Sequence, residues 1–272
     1  MTKLKTILCL LTSVFLAMFF CLYSISLGYC IPDNGYFDAP YSSNIPNIDG
    51  QWSTPTEWTD ASETRVEDDF GWRAYFRLKH NQTHIFVLLD FITDQSESAN
   101  DLGGVCIDTL DEGGNAPKTD DYVFGYRTGW GSSVFQGTGH GGTDAWVHIT
   151  TPSGTLGVGG FSSINDPYEG GKDHRIYEFQ VPCSFLGEEN RYGFYAYVCD
   201  NGIDTLLEWP EGAGGLFDYP DHFGLDKVPP APGNWGSIGG NFIPEFPSFL
   251  ILPLFMIATL LTVIIYKRKH TR

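Results

Sequence analysis

WRAYFRLKHNQTHIFVLLDF, residues Trp72–Phe91, decides the fold class. Trp72, Ala74, Phe76 and Leu78 fall on one side, and Arg73, Tyr75, Arg77 and Lys79 on the other. Apolar and polar residues in strict alternation describe a half-buried strand. His80-Asn81-Gln82-Thr83 supplies turn residues, and Ile85–Phe91 is apolar on both faces, as in a strand buried on both sides. The stretch therefore reads as an antiparallel hairpin. Asn81-Gln82-Thr83 is also an N-glycosylation sequon, which makes Asn81 a candidate glycosylation site at an exposed turn. His80 and His84 bracket the turn and read as a surface pair, because a metal site needs more ligands than two.

Working outward, further strands are expected over 104–108, 122–127, 145–150, 174–181, 192–199 and 205–209. Glycine-rich loops at 125–142 and 154–160 separate them, and 183–189 has room for one helical turn. No long helical period occurs before residue 249. Many short strands with turn signals between them imply an all-β fold, an antiparallel β-sandwich of the jelly-roll kind. The sandwich is expected over 48–228, after a Pro-, Tyr- and Ser-rich lead-in at 31–47. Residues 229–247 read as a Pro/Gly linker that lifts the domain off a membrane. Trp52 and Trp58, in the opening turn, are expected to close the sandwich, and Trp72 and Trp209 to pack in it.

Both chain ends are apolar. Residues 1–28 carry Lys3 and Lys5, an apolar run, then Ser24, Ser26 and Gly28, the order of a secretory signal peptide, with a retained N-terminal anchor as the alternative. Residues 248–266 read as one transmembrane helix, and the basic tail 267–272 belongs on the cytoplasmic side. The expected location is thus the cell surface, with the domain outside. The part between the ends keeps ten of the 16 basic residues and 32 of the 33 acidic ones, a net charge of −22. That field repels nucleic acid and attracts cations. Cys30, Cys106, Cys183 and Cys199 remain after export and allow two disulfides in three connectivities.

Between two expected strands, residues Val105–Tyr126 gather Asp108, Asp111, Glu112, Asn115, Asp120 and Asp121 on a Gly/Pro-containing loop. Irregularly spaced oxygen donors suit calcium, which takes six to eight of them in flexible geometry. Asp108, Asp111, Asp120 and Asp121 are the candidate ligands, against the plainer reading of a solvated acidic loop. Trp146 and His148 share the face of their strand opposite Val147 and Ile149, and Trp130 sits between Gly129 and Gly131. These three are the candidate carbohydrate contacts, since an aromatic face stacks on a sugar ring. GxSxG, HExxH and GxxxxGK[ST] are absent, and His140 in GTGHGG lacks the strand-to-helix setting of a phosphate loop.

The domain resembles the family 9 carbohydrate-binding modules and their wider sandwich group. The residues that carry this are Ile48-Asp49-Gly50 with Glu57-Trp58 and Ala61, then Ile85–Asp90, and Val105–Asp108 with Asp120-Asp121-Tyr122. Tyr177-Glu178-Phe179, Val181-Pro182, Phe185-Leu186-Gly187, and Trp209-Pro210 before Phe223-Gly224 complete the order. The resemblance implies a β-sandwich, frequently with calcium and often sugar-binding, although its paired ring clamp has no motif here. A related branch binds haem, and the domain's lack of methionine excludes a methionine-ligated haem. Pro244-Glu245-Phe246-Pro247, with the span and tail behind it, resembles an archaeal PEF-type sorting signal. That implies an archaeosortase-type transpeptidase as partner; the other reading is an ordinary single-span anchor. The expectation is a membrane-anchored carbohydrate-binding module with a polysaccharide or surface glycan as partner, and no enzyme. The alternatives are a structural or adhesive surface protein and an envelope glycan hydrolase.

Overall fold

The computed structural model describes residues 35–168, 171–187, 189–214, 217–218, 227–240, 242 and 259. The expected signal 1–28, Cys30, Pro244–Pro247 and the tail lie outside those residues, as does the apolar span apart from Thr259. Among the described residues no helix is long and apolar enough to cross a membrane.

The strands are β1 (Tyr36–Asp38), β2 (Ser62–Glu67), β3 (Arg73–His80), β4 (His84–Phe91), β5 (Leu102–Asp108), β6 (Asp121–Arg127), β7 (Gly131–Gly137), β8 (Trp146–Ile149), β9 (Leu156–Ser162), β10 (His174–Pro182), β11 (Arg191–Asp200), β12 (Thr205–Trp209), β13 (Phe217–Asp218), β14 (Lys227–Val228) and β15 (Gly236–Gly239). One helical turn, α1 (Cys183–Leu186), falls where the sequence allows it. The first sheet has the order β1-β15-β11-β5-β6-β7-β8, with β12 also on β11; the second is β2-β3-β4-β10-β9; β13 and β14 pair alone. Neighbouring strands are antiparallel except β1 with β15.

Side-chain alternation builds the core. The second sheet turns Ala74, Phe76 and Leu78, then Ile85, Val87, Leu89 and Phe91, then Tyr177, Phe179 and Val181 inward. They meet Val105, Ile107, Phe124, Val134, Phe194, Ala196, Val198 and Ile238 of the first sheet. This is a two-sheet sandwich with the inward positions that the hairpin pattern requires.

Each sheet also carries a covered outer face, which alternation alone does not announce. Trp52 and Trp58 do not close the sandwich; they lie against Phe86, Leu88 and Ile176 on the outside of the second sheet. Under that layer Lys79 is fully buried. Its ammonium donates to Asn44 O at 2.8 Å, Glu57 O at 2.5 Å and Asp60 Oδ1 at 2.9 Å, and lies 5.2 Å from the Trp58 ring. His80 is buried too, against Phe242 at 4.7 Å, so the surface pair with His84 does not form. On the outside of the first sheet Leu102, Cys106, Val123, Phe135, Tyr195, Tyr197 and Cys199 are covered by Ala213 and Trp235.

The boundaries move outward at both ends. The lead-in 31–47 contains β1, and the stretch read as a linker contains β15, all four of whose residues are buried. Trp235, just before β15, is 2% exposed and donates its indole N–H to Pro230 O at 2.9 Å. Two glycine-rich loops are also partly strand, as β7 and β9. The reason at β9 is close packing: a Cβ on Gly159 meets the Tyr126 ring at 2.5 Å, and one on Gly160 meets Gly50 O at 2.1 Å. Glycine is there because rings and backbone lie directly on the strand.

Cys106, Cys183 and Cys199 are buried thiols, not disulfide halves. The β5–β11 register pairs Cys199 with Leu102, four residues from Cys106 along the strand. That is about 13 Å at strand rise, beyond the roughly 7 Å Cα limit of a disulfide. Cys183 belongs to the inner core, on the other side of the first sheet.

Candidate functional site

The β5–β6 register sets Asp108 opposite Asp121, and the loop between them returns Asp120 to the same place. Ligand oxygens of Asp108, Asp120 and Asp121 all lie within 4.8 Å of one another. Asp108 accepts from the backbone N–H of Leu110 at 3.0 Å and of Gly113 at 2.8 Å. Asp121 accepts from Lys118 N at 2.6 Å. One Asp120 oxygen is buried with no hydrogen-bond donor. Burial, with Asp108 and Asp120 beside it, pushes the Asp121 carboxyl up to about 7; burial also raises Asp108. Three converging carboxylates with an orphaned oxygen fit a hard cation. Asp111 does not join them. It pairs with Arg191 and accepts from Ser237 Oγ at 3.0 Å, tying the loop to β11 and β15.

The aromatic candidates are spread apart. Trp130 is 68% exposed in the β6–β7 turn, with the Arg127 guanidinium 5.3 Å from its ring. Trp146 pairs with Gly137 at the far end of β7. Six residue steps along β7 separate the two ends, about 20 Å, so Trp130 and Trp146 form no clamp. Trp146 and His148 do share a face, on which Trp146 is half-buried and His148 exposed. Trp146 stacks on Trp235 at 6.5 Å with an 8° interplanar angle, and His148 sets its ring against Phe135 at 5.3 Å. Asn81 lies in the β3–β4 turn as expected, with its side-chain oxygen accepting from Thr83 N and His84 N at 3.1 and 2.9 Å.

The residues missed in the sequence line a cleft beside β1. Tyr36, Asp38, Ala39, Pro40, Tyr41, His80, Asn190 and Gly240 surround about 440 Å³. Tyr36 and Tyr41 are 48% and 59% exposed. Burial lowers the His80 imidazole below its usual value and keeps it neutral; Nδ1 accepts from Gln82 N at 3.2 Å, which leaves Nε2–H as a donor. The volume suits a small ligand. Two open rings with a carboxylate, an amide and an imidazole match the mixed apolar and hydroxyl character of a sugar. The signal was present in YFDAPY, where two tyrosines flank an aspartate, but a lead-in gave no reason to weigh it.

No family model and no curated protein matches the chain. Among solved structures, a family 9 carbohydrate-binding module from Caldicellulosiruptor kristjanssonii in complex with cellotriose superposes with a TM-score of 0.48 at 12% identity, covering 78% of this chain and 97% of that one. A family 9 module from the same organism in complex with glucose gives 0.47 at 13% identity, covering 75% and 95%. No residue role is carried across from either.

Proposed function

We propose that the chain is a non-catalytic carbohydrate-binding module displayed at the cell surface. The observation that supports this reading is the open cleft with Tyr36 and Tyr41 on its walls. Asp38 is the sole carboxylate among the described residues that line it, whereas glycosidic hydrolysis ordinarily uses a pair. Calcium at Asp108, Asp120 and Asp121 serves as a brace for the loop between β5 and β6. The end segments, with the Pro244–Pro247 motif, supply export and attachment to the membrane by a span or by a transpeptidase. Pull-down on insoluble polysaccharides locates the site: Tyr41→Ala weakens retention at least tenfold, while Trp130→Ala is retained like the parent chain. Equal retention of Tyr41→Ala and the parent chain would overturn the assignment of the cleft.

The separation of Trp130 from Trp146 favours a second reading, a structural or adhesive surface protein without a small ligand. That reading expects surface association to persist while no glycan binds.

A further inference from the structure

On the outer face of the second sheet, three side chains meet in a place the sequence does not advertise. The β4–β10 register sets Ile176 opposite Asp90, which makes His174 the diagonal neighbour of Asp90 on the same face. Asp166 arrives from the connection between β9 and β10. His174 Nε2 lies 2.7 Å from Asp90 Oδ1 and 2.7 Å from Asp166 Oδ2, and all three side chains are wholly buried.

The surrounding hydrogen bonds define what each atom offers. Tyr168 N donates to Asp166 Oδ1 at 2.7 Å, which leaves Oδ2 for the cluster. His174 Nδ1 is 2.8 Å from Lys172 O. A carbonyl only accepts, so Nδ1 carries a hydrogen, and in the neutral ring Nε2 presents a lone pair to two carboxylates. Two carboxylates in a dry site require positive charge between them, from a second ring proton or from a bound cation. A proton on Nε2 would be shared by Asp90 Oδ1 and Asp166 Oδ2 and would still leave the three groups one negative charge in excess. Asp90 Oδ2 is buried with no hydrogen-bond donor, while Asp90 Oδ1 and Asp166 Oδ2 face His174 Nε2 at 2.7 Å.

We infer that Asp90, Asp166 and His174 form a buried binding site for one divalent transition metal of the zinc class. The donor set is His174 Nε2, Asp166 Oδ2 and both oxygens of Asp90, four atoms from three side chains. Zinc takes imidazole nitrogen and carboxylate oxygen at about 2.0–2.2 Å and favours four ligands. The imidazole selects against calcium and magnesium, which take oxygen. Two carboxylates balance the dication, so the filled site is neutral. The Lys172 carbonyl orients the ring from behind, as carbonyls and carboxylates do behind metal-bound histidines. The metal staples β4, β10 and the β9–β10 connection into one unit. The site is separate from the acidic loop, which contains no histidine.

The test uses the untagged full chain, stripped with chelator and titrated with Zn²⁺ alone or Co²⁺ alone, with bound metal measured by mass spectrometry. The parent chain takes up one more equivalent of Zn²⁺ than His174→Gln, and its melting temperature rises with uptake. Asp121→Asn keeps that equivalent, since it lies in the other cluster. The Co²⁺ form shows visible bands of a low-symmetry nitrogen and oxygen site. Should His174→Gln not fold, Asp166→Asn replaces it and loses the same equivalent. No Zn²⁺ uptake by the parent chain, a Co²⁺ spectrum without bands, or equal uptake by the parent chain and the His174 or Asp166 variant overturns the inference.

Discussion

Glu178 sits in the middle of β10 with no exposed surface, and three donors aim at it. Asp49 N and Gly50 N each donate to one carboxylate oxygen at 2.8 Å, and Trp58 Nε1 donates to the other at 3.0 Å. Glu57 repeats the device nearby, accepting from Asn47 N and Ser53 N at 2.6 Å. Scattered motif residues thus become one knot that fastens the Trp52–Trp58 layer to the second sheet. Gly50, at φ +81°, is needed where a Cβ meets Gly160 N at 2.8 Å. Glu178→Ala leaves two buried donors and one half-buried donor unsatisfied, at about 1–3 kcal/mol each. Urea unfolding should show a loss of at least ~3 kcal/mol, and a loss below about 1 kcal/mol would remove Glu178 from this role. The motif residues were visible in the sequence, but their common partner was not, because the contact joins positions 129 apart.

The acidic loop belongs to the scale of the element. Its strands, its inward Val105 and Ile107 and the meeting of Asp108 with Asp121 follow from period-two alternation across one hairpin. Asp111 was equally acidic in sequence, yet Arg191 and Ser237 claim it, and both come from the far end of the chain. Asp121, held near 7, has a folded value above the usual 3.8. Its contribution to stability is therefore complete below about pH 4 and is lost as pH rises through 7. In chelator the melting temperature should fall between pH 4 and pH 8, and Asp121→Asn should flatten part of that slope. Calcium at a hundred times its dissociation constant should restore about 2.7 kcal/mol at pH 8. A calcium-insensitive melting curve at pH 8 contradicts the brace.

At the scale of the whole molecule, the fold class was legible from the hairpin at Trp72–Phe91, but its limits were not. Composition marks 229–240 as linker because Pro and Gly dominate it, whereas β15 lies between β1 and β11 and pairs with both. Short glycine strands of this kind have little side chain for a pattern to display. The outer tryptophans were misplaced for a related reason: alternation reports that a face is apolar, not which layer covers it. A chain ending at Val228 loses β15, Trp235 and the partner of β1. Such a chain should lose cooperative thermal unfolding, and an unchanged transition would return 229–240 to the linker. The same truncation removes Gly240 from the tyrosine cleft. The central claim, that this cleft takes sugar, is tested most directly by a glycan array probed with the full chain, once with calcium and once with chelator. The parent chain should hold a defined set of glycans that Tyr41→Ala fails to hold; an array blank under both conditions contradicts sugar binding at the cleft.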